Sequence, residues 1–162
     1  MAFDIVPYAA KDRDALAAMI LAIQNGEFGV GVTFEGQPDL QDPAAFFRKG
    51  AGEFWVAHDP DGSPIGSIGL LEAAPGQGVI RKMFVRADRR GREFGIAQSL
   101  LDMLIAHARR AGISTIRLGT VENLKAARRF YERNGFREIA AADLPPEFPR
   151  MKVDTHFYRI DL

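Results

Sequence analysis

A chain of 162 residues with 21 Lys+Arg against 21 Asp+Glu has no formal net charge. That disfavours general nucleic-acid binding and adhesion to anionic membranes, both of which rest on a basic surface. Its 47% hydrophobic and 26% charged residues are the balance of one folded domain, and the absence of cysteine removes disulfide scaffolds, Cys-ligated zinc and thiol nucleophiles.

Phe3 to Tyr8 reads as a first strand. Asp12 is placed to cap a helix whose apolar residues Leu16, Met19, Ile20 and Ile23 recur at helical spacing. The longest apolar run, Ala15 to Ile23, is far shorter than the roughly 20 residues of a membrane helix. No basic region precedes an apolar one at the N-terminus, so a soluble cytoplasmic protein is expected. Residues 25–41, rich in Gly, Asp and Gln, form a long loop with at most a short helical turn, and Asp42-Pro43 opens a short helix through Arg48.

The continuous apolar run Phe54-Trp55-Val56-Ala57 predicts a strand covered on both faces. Asp61-Gly62 supplies a hairpin turn, a strand follows through Ile65, Ile68, Leu70 and Leu71, and Gly76 to Gly78 turns the chain into a strand over Val79 to Arg86. These three strands form an antiparallel meander. Ile96, Ala97, Leu100, Leu101, Leu104, Ile105 and Ala108 then step at three and four residues, a long amphipathic helix ended by Gly112. Ser114 to Gly119 is a strand and Leu124 to Arg133 a helix stopped by Asn134-Gly135. Phe136 to Ala140 and Thr155 to Ile160 complete a mixed α/β set of about seven strands and about four helices.

The informative stretch runs from Arg86 to Ala97, between a strand and the start of the long helix. It holds Arg86, Arg89, Arg90, Arg92, Gly91 and Gly95. A helix N-terminus presents unpaired N–H groups and a partial positive charge, glycine lets that backbone approach a ligand, and arginine adds bidentate contacts to phosphate oxygens. The combination makes an anion site suited to a pyrophosphate. The patterns G-x-x-x-x-G-K-[ST] and G-x-G-x-x-G are absent, which disfavours nucleotide hydrolysis and dinucleotide binding. His58, His107 and His156 show no metal-binding spacing, and no G-x-S-x-G occurs; no metal is expected.

Arg92-Glu93-Phe94-Gly95-Ile96-Ala97 fits the pattern [RQ]-x-x-G-x-[GA], and Ala127 to Phe136 fits A-x-x-x-Y-E-x-x-G-F. With Met83-Phe84-Val85 before the first and Leu100-Leu101 after it, the chain resembles the GNAT superfamily of acyl-CoA-dependent N-acetyltransferases. The resemblance implies a single-domain α/β fold with a mixed, splayed sheet and acyl-CoA wedged between its fourth and fifth strands. The pyrophosphate would sit on the amides of Arg92, Glu93, Phe94, Gly95, Ile96 and Ala97, flanked by Arg90 and Gly91. The pantetheine arm would pair with the backbone of Met83, Phe84 and Val85, where an N–H would stabilise a developing oxyanion. Tyr131 matches the family tyrosine that protonates the departing CoA thiolate.

This chain departs from the family pattern in two places. Two extra residues lie between Val85 and Gly95, and the position seven before the tyrosine is Leu124, with Asn123 one place off. Asn123 is read both as a cofactor neighbour and as a helix N-cap. For the general base, Glu72 is the first candidate and Glu122 the second, with proton loss through water as the alternative. Glu27, Glu35 and Asp39 are candidates to attract a cationic acceptor, with Phe28, Phe34 and Trp55 as apolar walls. The activity implied is transfer of acetyl from acetyl-CoA to the primary amine of a small acceptor, by direct attack in a ternary complex. Dimerisation is common among similar proteins. The competing readings are a non-catalytic acyl-CoA sensor or scaffold and an arginine loop that binds nucleic acid, which the zero net charge disfavours.

Overall fold

The computed structural model describes residues 2–122 and 124–162. Among them, seven strands form one sheet in the order β1-β2-β3-β4-β5-β7-β6. They are β1 (Asp4–Pro7), β2 (Glu53–His58), β3 (Pro64–Ala74), β4 (Gln77–Val85), β5 (Thr115–Thr120), β6 (Arg137–Ile139) and β7 (His156–Asp161). The α-helices are α1 (Arg13–Leu21), α2 (Pro38–Gln41), α3 (Pro43–Phe47), α4 (Ile96–Arg110) and α5 (Lys125–Arg133). Five form among the described residues rather than about four, because the predicted loop 25–41 contains α2. It also begins late: α1 runs on through a π-helical turn over Ala22–Glu27.

Asp42 caps α3, its carboxylate accepting from the Ala45 amide at 3.1 Å with Pro43 at the first helical position. Asp12 does not cap α1. Its carboxylate is buried against the His58 imidazole at 3.0 Å, so it ties the helix start to the end of β2. The N-cap assignment of Asn123 lies outside the described residues.

β1 to β4 pair antiparallel throughout. The stepped apolar face of α4 (Ile96, Leu100, Leu101, Leu104 and Ala108) packs on one side of the sheet with Ile65, Ile68, Leu70, Ile116 and Leu118. The other side is filled by Leu16, Ile20, Leu40, Phe47, Phe54 and Val56. Trp55 belongs to the α4 side, edge-on to His107, whose Nε2 lies 2.8 Å from the Ala51 carbonyl oxygen.

Two irregularities shape the middle of the sheet. β4 and β5 run parallel but pair only at their first residues: Gln77 with Thr115, Gly78 with Ile116 and Val79 with Arg117. Beyond Val79 they part, while β5 stays paired with β7 on its other side. The second irregularity is a bulge. The β3–β4 register shifts between Ser67 and Gly69, and Lys82 takes φ +55°. The buried Ser67 hydroxyl donates to the Lys82 carbonyl oxygen at 2.7 Å and holds the bulge in place.

Candidate functional site

The parting of β4 and β5 opens a cleft enclosing about 960 Å³ with its mouth. Ile80 to Phe84 form one wall, Leu118 to Val121 the other, and Leu124, Ala127 and Tyr131 of the α5 region close one end. Gln24, Phe28, Val30 and Val32 reach in from the segment after α1, and Phe148 to Asp154 from the segment before β7. Asn25 shapes the first of these segments. Its side chain accepts from the Gly31 and Val32 amides and donates to the Val32 carbonyl oxygen, so Val30 and Val32 are presented to the cleft by a stapled loop.

The α4 N-terminus lies where the loop after β4 turns back. Gly95 precedes the helix at φ +70°, a left-handed conformation that most side chains resist, and no side chain caps the first turn. The first amides of α4 are therefore left for another acceptor. The arginines around it divide into two groups. Arg89 holds Asp59 bidentately at 2.6 Å, and Arg86 is paired with Asp88 at 2.7 Å. Arg90 donates through Nε to the Val85 carbonyl oxygen at 2.8 Å and grips both carboxylate oxygens of Glu27, one at 2.8 Å. Arg92 is exposed and has no ion pair among the described residues, which leaves it free for an anion at the helix start.

Tyr131 is 6% exposed, and its hydroxyl donates to the Met83 thioether sulfur at 3.4 Å. Two residues from distant parts of the chain, both singled out for the donor end, thus meet where the strands part. Burial pushes the Tyr131 phenol well above its ordinary pKa of 10.0, so it stays protonated across the working range of an enzyme. Its ring sits among Phe130, Phe136 and Tyr158.

The carboxylates expected to serve as base or acceptor contacts are distributed differently. Glu72 accepts from the Ala51 amide at 2.9 Å and the Gly76 amide at 3.1 Å, and it is not on the cleft wall. It clamps the loop before β2 to the β3–β4 turn. Glu72→Ala should therefore cost about 2 kcal/mol of stability, the scale of lost hydrogen bonds to a charged acceptor. Urea denaturation checks that loss, and kcat should stay within about two-fold, since uniform positioning of the cleft does not depend on this group. Glu122 is exposed and hydrogen-bonded to His156, which also faces Glu138. His156 holds the Glu122 carboxyl below its usual range, and the two carboxylates raise the imidazole in return.

Glu27 is taken up by Arg90. Glu35 is exposed, its carbonyl oxygen tied to the Gln41 amide at 2.9 Å. Asp39 is not a surface loop residue but 2% exposed, 2.9 Å from Lys82 Nζ and 3.4 Å from Arg81 Nε. Phe28 lines the cleft, beneath the Arg90 guanidinium at 5.8 Å. Phe34 packs with the α1 side of the core and Trp55 with the α4 side.

Asp154 was not legible as a site residue. It lies in the Pro-rich C-terminal segment that carries no periodicity, yet its carboxylate lines the cleft. Its Oδ2 occupies the space over Gly119, where a Cβ would come within 2.4 Å. Burial raises its pKa, and the charges of Arg81, Arg150 and Lys82 and the Met151 amide oppose that rise.

The family model described as "Acetyltransferase (GNAT) family" matches residues 7–136. A structure of a GNAT-family acetyltransferase from Staphylococcus aureus Mu50 is 34% identical, superposes with a TM-score of 0.94 and covers 99% of both chains. An uncharacterized N-acetyltransferase of Schizosaccharomyces pombe is 29% identical over 113 residues, 68% of each chain. The PaiA N-acetyltransferase of Thermoplasma acidophilum, solved in complex with coenzyme A, is 15% identical and shares the fold at a TM-score of 0.74 over 100% of both chains. No helix among the described residues is long and apolar enough to cross a membrane.

Proposed function

The chain belongs to the GNAT acetyltransferase family, a transferase with acetyl-CoA as its co-substrate, and from that premise we propose that it acetylates the primary amine of a small acceptor by direct attack in a ternary complex. The observation that carries this reading is the gap between β4 and β5 with the Tyr131 hydroxyl against Met83 inside it. A peptide-like arm can complete the β4 edge that β5 abandons after Val79, pairing along Met83 to Val85. The amides of Ile96 and Ala97 at the uncapped start of α4 suit a pyrophosphate, and Arg92, without an ion pair among the described residues, supplies a cation ahead of the helix. Arg90 supports that site indirectly, by fixing the end of β4 through the Val85 carbonyl.

The chemistry asks for three things: a donor to the carbonyl oxygen as it becomes an oxyanion, a proton for the leaving thiolate, and an acceptor for the ammonium proton. Backbone N–H groups near the Lys82 bulge supply the first, since the bulge turns backbone polar groups out of the ladder. Tyr131 supplies the second. For the third, Asp154 is the carboxylate that stands on the cleft wall, and burial raises its proton affinity above that of an exposed carboxylate. Glu72 and Glu122 carry other duties in the fold.

Calorimetry with coenzyme A, followed by thiol release from acetyl-CoA over a panel of amines, tests the reading. Heat of binding and amine-dependent release are expected. Binding without release above the buffer rate identifies the sensor alternative, and absence of any heat overturns the assignment of the cleft.

A further inference from the structure

Successive residues of a strand point to opposite faces, so Arg81 and Lys82 should diverge. They do not. The positive φ at Lys82 breaks the alternation, and both side chains reach the same oxygen of Asp39. Two cations of the cleft wall therefore share one buried carboxylate, Asp39. Lys82 is spent in this cluster, with its side chain 3% exposed and its Nζ 2.9 Å from Asp39.

Arg81 is not spent. Asp39 lies at its Nε, the Phe46 ring supports the guanidinium at 5.4 Å, and neither Nη has a partner among the described residues. The guanidinium is thus fixed in position with its two-nitrogen end open, on a cleft wall it shares with Asp154. Asp154 is fixed in turn, its carboxylate seated over Gly119 and accepting from the Met151 amide at 3.3 Å. The cleft holds one oriented cation and one oriented carboxylate amid the apolar Phe28, Val30 and Phe148.

We propose that the acceptor is an amino carboxylate, its carboxylate received by the open end of Arg81 and its amine directed to Asp154. A planar carboxylate matches the two parallel N–H groups at the open Nη end of a guanidinium whose Nε side faces Asp39. A purely cationic acceptor such as a diamine would instead leave the open end of Arg81 without an anion and bring a further positive charge towards it. The inference rests on the N-acetyltransferase reading of the cleft and adds the class of its acceptor.

The test uses the full-length protein and thiol release from acetyl-CoA. Matched sets are compared: α-amino acids with their amides, ω-amino acids of two to five carbons with alkylamines of equal length, and aminoalkylphosphonates of the same lengths. The expected result is a carboxylate acceptor favoured over the partner that lacks the carboxylate by about 10- to 100-fold in kcat/KM, the scale of hydrogen bonding to a charged group. The preference should lie mainly in KM. Arg81→Gln should erase it by raising KM for the carboxylate with little change for the partner that lacks it, and Arg81→Lys should restore part of it. Equal or better use of alkylamines or diamines overturns the proposal while leaving N-acetyl transfer intact, and so does a preference for phosphonates. An unchanged preference in a folded Arg81→Gln protein also overturns it. If Arg81→Gln fails to fold, the wild-type matched sets and Arg81→Lys still decide. Thiol release with no amine at all would sink the underlying activity and this inference with it.

Discussion

Tyr131→Phe is expected to lower kcat by about 10²- to 10⁴-fold, the range lost with a general acid, while the affinity for coenzyme A stays unchanged. The substitution is a clean probe because of where the ring sits. Its contacts with Phe130, Phe136 and Tyr158 depend on the aromatic face and edge, which phenylalanine keeps. Among the described residues the hydroxyl itself has only the Met83 sulfur as a partner, a weak acceptor. Removing it should change stability by less than about 1 kcal/mol. A fall in turnover would then report chemistry rather than a loosened fold. Calorimetry for coenzyme A and steady-state rates at saturating acceptor are the two measurements; a kcat within three-fold of wild type would remove Tyr131 from the proton path.

The raised pKa of Tyr131 sharpens that expectation. A weaker acid is a poorer proton donor to a thiolate whose conjugate acid, free in water, titrates near 8.5. The cleft that buries the phenol also desolvates the departing thiolate, and desolvation raises the proton affinity of both anions. The two shifts therefore act in opposite senses on the transfer. The sign matters for the pH profile. A group raised above its ordinary value keeps its proton as pH rises through 10.0, so Tyr131 gives kcat no alkaline limb at ordinary pH.

Much of this arrangement follows from local sequence, and the reasons for the rest are physical. The three- and four-residue steps of Ile96 to Ala108 fix both α4 and its buried face, because a helix is read from neighbours within two turns. Asp42-Pro43 marks the start of α3 for the same reason. The meander is legible from its turns. The parting of β4 and β5 is not, since apolar patterning reports burial and says nothing of where a ladder stops. The bulge at Lys82 is hidden too: a positive φ usually announces itself by glycine, and here a lysine adopts it, held by the buried Ser67 hydroxyl on the neighbouring strand.

The same distance effect explains the acidic residues. Composition invited Glu27, Glu35 and Asp39 to serve as a solvent-facing attractor for an amine. Two of them instead meet cations far along the chain, Glu27 with Arg90 and Asp39 with Lys82 and Arg81. A carboxylate in a loop cannot be told from a carboxylate in a buried ion pair until its partner is known. Asp154 shows the converse: a segment without periodicity delivered the one acidic wall of the cleft among the described residues.

Asp39→Asn should cause the largest loss of stability, about 3–5 kcal/mol, the cost of leaving a buried charge without its partner. Asparagine keeps the shape and removes the charge. Lys82, 3% exposed along its side chain, would then face the Arg81 guanidinium without the carboxylate that contacts both. Burial already holds Lys82 below its ordinary pKa of 10.5 even with Asp39 present, and loss of the carboxylate lowers it further. The direction of the pH effect follows. Between the depressed folded value and 10.5 the unfolded chain binds more protons, so stability rises with pH in that window. The deficit of Asp39→Asn should therefore be greatest at neutral pH and shrink as the solution becomes alkaline and Lys82 sheds its proton. Denaturation in urea at pH 7 and again near pH 9.5 measures both quantities. The double replacement Asp39→Leu with Lys82→Met should recover most of the loss, because an apolar pair of similar volume needs no counter-ion. A single variant as stable as wild type at pH 7 would mean that Lys82 finds water in place of Asp39, and that the bulge does not depend on a buried ion pair to hold its unusual backbone.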